Sequence, residues 1–169
     1  MNFSCRSLYK GLVVLISLCM PSVAAGSTGQ KLSIDRLSAE SEIIIKGRVD
    51  ELKSRQARDR SFAITSIVVS VERQFKGPAV SAVTIEQPGG SIGDITQATP
   101  GLAQFSPGEE VILFLERRGR NMFHVVGGRQ GKFTIKSGPS GTQKFVEDYA
   151  GRTEALDSFL SRISPPERR

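Results

Sequence analysis

Tryptophan is absent from this 169-residue chain, histidine occurs once, and the only two cysteines, Cys5 and Cys19, stand near its start. One histidine and two N-terminal cysteines cannot assemble the usual zinc sets. A Ser-His-Asp triad would have to use His124, and no serine stands in a nucleophile-elbow setting. His124 falls inside an alternating run, Met122-Phe123-His124-Val125-Val126, which puts it on a sheet face opposite Phe123 and Val125. No cofactor motif appears either: Gly89, Gly90 and Gly93 follow a strand pattern, but no helix pattern follows them, as a nucleotide loop requires.

Long hydrophobic runs are missing too. The apolar stretch at 11–20 (GLVVLISLCM) falls well short of the ~20 residues that a spanning helix needs. It follows Arg6 and Lys10 and precedes Pro21-Ser22-Val23-Ala24-Ala25. That three-part pattern is a secretory signal, with cleavage expected after Ala25, or after Ala24 as the alternative. A lipid anchor on Cys19 is disfavoured by Leu18, which stands where a small residue should precede the modified cysteine. The chain is therefore expected to be exported, periplasmic or secreted, with no membrane span after cleavage.

Removing residues 1–25 from 169 leaves 144, and removing Arg6 and Lys10 from the +6 balance leaves +4. Both cysteines go as well. The mature chain then has neither disulfide nor thiol chemistry, although its compartment would permit disulfides. Its stability has to come from a packed core, which a domain of ~150 residues can build by burying roughly 70% of its unfolded surface.

Residues 26–32 read as a flexible N-terminal segment and 164–169 as a polar tail, with one domain over 33–163. Residues 33–41 predict a short helix capped by Ser33, with Ile34, Leu37 and Ser41 on one side. From Glu42 the period changes to two: Ile43, Ile45, Gly47 and Val49 alternate with Ile44, Lys46, Arg48 and Asp50, a strand that a bulge at Glu51-Leu52 would bend. Residues 53–60 (KSRQARDR) read as a solvated loop or hairpin end. In the β-rich run 62–75 the apolar residues are even at Phe62 and Ile64 and odd from Ile67, so the inner face is expected to switch near Thr65-Ser66. A third strand at 82–87 ends at Pro88-Gly89-Gly90. Residues 91–107 have no clean period and read as a long irregular loop.

Residues 110–117 (EVILFLER) are apolar on both faces, which predicts a central strand covered on two sides. Further strands follow at 122–126, 132–136 and 142–146, separated by glycine-rich turns. Residues 153–163 carry Leu156, Phe159, Leu160 and Ile163 at helical spacing, with Thr153 as expected cap. That stripe is expected to pack on the outer face around Ile112 and Phe114. The fold class is mainly β: a small, closed or partly open antiparallel barrel with a short N-terminal helix and a C-terminal amphipathic helix.

Carboxylates at Glu86, Asp94, Glu109, Glu110, Glu116, Glu147 and Asp148 would be the raw material of a hydrolase, but no aromatic sugar platform accompanies them. Positive charge is the one chemical concentration. Arg55, Arg58 and Arg60 lie in one loop with Lys53, and Arg117, Arg118 and Arg120 in another. If the two loops share an end of the barrel, they form an anion-attracting patch. Gln87, Pro88, Gly89 and Gly90, with the loop after them, are the other candidate binding segment.

Three segments carry a resemblance: 42–49 (EIIIKGRV), 71–77 (VERQFKG) and 105–115 (FSPGEEVILFL), the last a glycine-acidic turn before an apolar strand. With the order of elements, they resemble the netrin-like module of tissue inhibitors of metalloproteinases, a small barrel of the oligonucleotide/oligosaccharide-binding type. The resemblance implies that fold over about 33–163 and a general role in protein or glycan binding. The inhibitors chelate zinc through an N-terminal cysteine, which the expected mature chain lacks, so no inhibitory residue carries over.

The expected function is a non-enzymatic exported binding domain. Its partner would be an envelope or extracellular protein, or an anionic glycan or lipid head group. Export argues against nucleic acid. The alternatives are an accessory protein or inhibitor of a secreted protease and, more weakly, a carboxylate-based hydrolase.

Overall fold

The structure is a computed structural model that describes residues 30–58, 62–119, 122–138 and 141–164. The expected signal, its Ala25 cleavage site and the end of the tail lie outside the described residues. Residues 31–169 group as one compact unit. Helix α1 (Ile34–Glu40) is capped by the Ser33 hydroxyl, which accepts from the Arg36 amide. Among the described residues ten strands follow, and then helix α2 (Leu156–Ile163).

The main sheet contains β1 (Ile43–Gln56), β2 (Ala63–Lys76), β3 (Ala82–Pro88), β6 (Glu110–Arg117), β7 (Met122–Val125), β8 (Lys132–Ser137), β9 (Lys144–Glu147) and β10 (Thr153–Ala155). Its order is β1-β2-β3-β7-β6-β8-β9-β10, and β1 also pairs with β6. Five strands, β1, β2, β3, β7 and β6, therefore close in a ring. The pairings are antiparallel except β3 with β7, which run parallel through Thr84↔Met122 and Ile85↔Phe123. Two three-residue strands, β4 (Gly90–Ile92) and β5 (Ile95–Gln97), form a separate hairpin.

Two hydrophobic clusters lie on opposite sides of β1 and β6. Ile43, Ile45, Val49, Val111, Leu113 and Leu115 meet Ile67, Val69, Val83, Ile85 and Phe123 inside the ring. Ile44, Ile112 and Phe114 face the other way and meet Leu37, Phe133, Phe159 and Ile163. The five residues Val111 to Leu115 are all completely buried, as an alternation that is apolar on both faces demands. The expected stripe of α2 does seek this outer face, since the ring of Phe159 stands edge-on to Phe114 at 6.5 Å.

Four expectations are corrected. Residues 153–155 do not start the C-terminal helix: they pair with β9 as an edge strand, and Ala155, not Thr153, is the N-cap. The face switch in β2 is not at Thr65-Ser66, because Ala63, Thr65, Ile67 and Val69 all point inward. It lies between Val69, in the inner cluster, and Phe75, in the outer one, where the β1–β2 register shifts at Ile44/Ile45 and Lys46/Gly47. The stretch 91–107 is not wholly irregular, since it contains the β4–β5 hairpin. Leu32, at the end of the expected flexible segment, is held: its amide donates to Gln130 Oε1 at 2.8 Å, and its side chain packs on the outer cluster. The expected bulge is present, as a register shift between Val49 and Glu51.

Candidate docking surface

The registers decide where the sequence-selected residues stand. Arg55 is opposite Ile64 on β2, and Ile64 is opposite Pro88 on β3. Arg117 is opposite Phe123 on β7, and Ile43 at the start of β1 is opposite Leu115. Arg55 and Arg117 are thus on strands rather than in loops, Arg55 near the end of β1 and Arg117 at the end of β6. The two arginine groups occupy opposite ends of β1, separated by roughly a dozen residues of strand, or about 40 Å if fully extended. They do not form one patch. Arg60 and Arg120 lie outside the described residues.

Most of the described arginines of these groups also carry local partners. Arg55 pairs with Glu86 at 3.1 Å, and Arg118 with Glu116 at 2.8 Å. Arg117 reaches Glu42 at 3.6 Å and lies over the Phe123 ring.

Gln87 to Gly90 serve as the footing of the β4–β5 hairpin. Gln87 Nε2 donates to the Ala103 carbonyl at 2.9 Å, Thr99 Oγ1 to the Pro88 carbonyl at 3.0 Å, and Thr65 Oγ1 to the Gly89 carbonyl at 2.7 Å. Gly89 and Gly90 have φ of 103° and 130°. A Cβ on Gly90 would collide with the hydroxyls of Thr65 and Ser54. The buried Thr65 hydroxyl is 2.9 Å from Ser54 Oγ, and that pair in turn meets the Ser91 amide.

From this footing the hairpin projects as a finger. Gly90↔Gln97, Ser91↔Thr96 and Ile92↔Ile95 are its pairs, and the left-handed Gly93 starts its two-residue turn. Gln97 Oε1 accepts from the Ala63 amide at 2.7 Å, tying β5 to the start of β2. At the tip Ile92 is 37% exposed and Ile95 69%, while Phe62, at the same end of the ring, is 42% exposed. Three large apolar side chains in water at one end are a feature that packing does not explain. The loop after Gly90 is expected from the sequence to be a binding segment but an irregular one; the signal for its hairpin is Ile92-Gly93-Asp94-Ile95, a turn dipeptide between matching β-branched residues.

The acidic candidates are mostly held in ion pairs. Glu109 accepts from Lys132 Nζ at 2.6 Å and from Thr134 Oγ1 at 2.7 Å. Glu110 accepts from Arg48 and Lys144, each at 2.8 Å. The Lys144 hydrogen bond, with Lys144, Lys46 and Arg48 charges adding and burial opposing, holds the Glu110 carboxyl below the usual carboxylate range. Burial pushes Asp148 up, but hydrogen bonds from the Arg152 side chain and from the Arg152 and Ala150 amides outweigh it and lower the net value.

A carboxyl lowered by folding stabilises the native state above its unfolded value of about 4.3, and that contribution disappears as pH falls through the native value. Glu110→Gln is therefore expected to cost about 1 kcal/mol at pH 7, in the range of an exposed network. The deficit should shrink as the solution is acidified below about pH 4.5. Thermal melts of both proteins between pH 7 and pH 3 check this; a deficit that stays constant would remove the ion-pair network as its cause.

Among the described residues, no group of three His, Cys, Asp or Glu side chains is placed to hold a metal ion, and no helix is long and apolar enough to cross a membrane. No protein-family model matches this chain, and no curated protein matches it.

Proposed function

We propose that this chain is an exported, non-enzymatic binding module with a small barrel of the oligonucleotide/oligosaccharide-binding, netrin-like type, and that it docks a protein partner on its finger end. The five-strand ring supports the barrel reading. Its interior is filled by aliphatic side chains such as Ile45, Ile67 and Leu113, each fully buried, so recognition belongs on the outside.

The carrying observation is the exposure of Ile95 at the tip of a hairpin whose base is held by hydrogen bonds, with Ile92 and Phe62 beside it. Apolar side chains on a convex, preorganised loop suit a protein surface better than an anionic polymer. The arginine loops that would have favoured the polymer are far apart and largely ion-paired. A carboxylate hydrolase is less supported, because Glu86, Glu109, Glu110, Glu116 and Asp148 are each tied to a cation.

Capture of partners from the envelope and culture fractions tests the docking. The double variant Ile92→Ser, Ile95→Ser is expected to lose the partner that the wild type retains, by at least about tenfold for two apolar anchors, while melting like the wild type. Equal recovery by both would refute the finger as the docking element.

The second reading, an accessory or inhibitor of a secreted protease, draws on the same finger, whose convex shape suits insertion into a cleft. It predicts that the captured partner is a protease whose rate changes with the wild type and not with the double variant.

A further inference from the structure

Among the described residues, Arg48, Arg152, Arg162 and Arg129 stand in the walls of surface clefts, and the first three are neutralised there. Arg48 is held by Glu110 at 2.8 Å, Arg152 by Asp148 at 2.5 Å and Arg162 by Glu154. The fourth, Arg129, has no carboxylate among the described residues within ion-pair distance. It lines a cleft of about 460 Å³ between the 98–104 segment and β8–β9, with Tyr149 and Glu147 in the same wall.

Arg129 is nonetheless fixed in place. It sits in a short 3-10 turn, Gly128–Gly131, entered through Gly127 and Gly128 at φ of 63° and 60°. Its amide donates to the Gly101 carbonyl at 2.9 Å, which fastens the turn to the opposite cleft wall. Its guanidinium lies over the Tyr149 ring, 5.0 Å from the centroid. Stacking holds the planar fork while leaving its edge donors free, the arrangement that suits a carboxylate.

The same cleft has an unused acceptor. Glu147 is half-buried, and its carboxylate has no hydrogen-bond or ion partner among the described residues. Its oxygens stay open to the cleft, since they are not among the fully buried unpartnered atoms, so a ligand donor can reach them. The cleft therefore offers one free bidentate cation and one free carboxylate together.

We infer that the Arg129 cleft is a second binding site, taking a carboxylate carried by a polypeptide: a chain terminus or an acidic side chain on Arg129, with neighbouring peptide N–H groups donating to Glu147. A peptide supplies both groups. A polyanionic glycan does not, because the unpaired Glu147 carboxylate in this cleft repels successive negative charges. One face of Tyr149, the sole tyrosine among the described residues, is taken by Arg129, which leaves a poor platform for a sugar ring. The inference does not rest on the finger.

The chain has no tryptophan and only two tyrosines, Tyr9 and Tyr149; in the protein lacking residues 1–25, Tyr149 alone emits and reports on this cleft. The purified protein is titrated with N-acetyl-tetraalanine bearing a free carboxylate, with its C-terminal amide, with N-acetyl-Ala-Asp-Ala-amide and with a heparin oligosaccharide. Calorimetry repeats each titration, so that a spectroscopically silent event is still seen. At least one carboxylate peptide is expected to bind saturably and the neutral amide not to bind. Which of the two binds tells terminus from side chain. Arg129→Gln is expected to weaken binding about tenfold or more, the loss of a charge-assisted pair, with an unchanged melting curve, and Arg129→Lys to restore only part of it. Equal binding of the neutral amide, equal affinity of Arg129→Gln, heparin bound as tightly as the peptides, or no binding of either carboxylate peptide would each overturn the inference.

Discussion

Replacing Phe114 by alanine is expected to lower stability by roughly 3 to 5 kcal/mol, the usual cost of deleting a buried aromatic ring. For a domain of this size that is a fall in melting temperature of about 10 °C or more. Phe114 has no exposed surface and contacts two rings edge-on, Phe133 at 5.7 Å and Phe159 at 6.5 Å. Behind it β1 runs in register, Ile44 opposite Phe114, so the sheet cannot move in to fill the space. Only α2 can shift, and it holds on through Phe159 and Ile163. Urea or thermal unfolding measures the loss, and limited proteolysis should show cleavage near α2 before the ring is cut. A loss below about 1 kcal/mol would mean that α2 is not docked as described.

The second large effect is expected from Gly90→Val. A side chain there meets the Thr65 and Ser54 hydroxyls, and a β-branched residue is strained at φ of 130°. Overpacking and backbone strain together should cost roughly 3 kcal/mol or more. The inner row of β2 is held by its pairing with β1 and β3, so relief comes from releasing the footing: the Thr65–Gly89 hydrogen bond breaks and the finger loses its orientation. The variant is expected to fold with a lowered melting temperature and to lose the partner that depends on Ile92 and Ile95. Wild-type stability with wild-type capture would show that the two glycines are not the footing.

Those two sites differ in how far the sequence announced them. The contact of α2 with Phe114 was legible because two periods speak for it, a 3.6-residue stripe on one element and a strand apolar on both faces. Ser33 as helix cap and the bulge after Val49 were legible from local chemistry in the same way. The placement of the arginine loops was not. It depends on β1 pairing with β6 as well as β2, a long-range choice that alternation does not encode, and that choice sends Arg55 and Arg117 to opposite ends. Residues 153–155 misled because a three-residue edge strand has no period of its own and exists through its partner β9. Thr65 misled because a buried hydroxyl is tolerated only where Ser54 and the Gly89 carbonyl meet it, and those contacts come from outside its own strand. In the sequence Arg129 is one more basic residue near the 117–120 group. What distinguishes it is the lack of a carboxylate partner in a cleft where its counterparts have one.

Docking through the finger is tested most directly by a photoreactive benzophenone side chain placed at Ile95 in the exported protein, with the same group at Arg118 on the opposite end of the ring as control. The expected result is one protein adduct from position 95 after irradiation, absent from position 118 and absent when Gly90→Val is added. No adduct at 95, or the same adducts from both ends, would contradict the account.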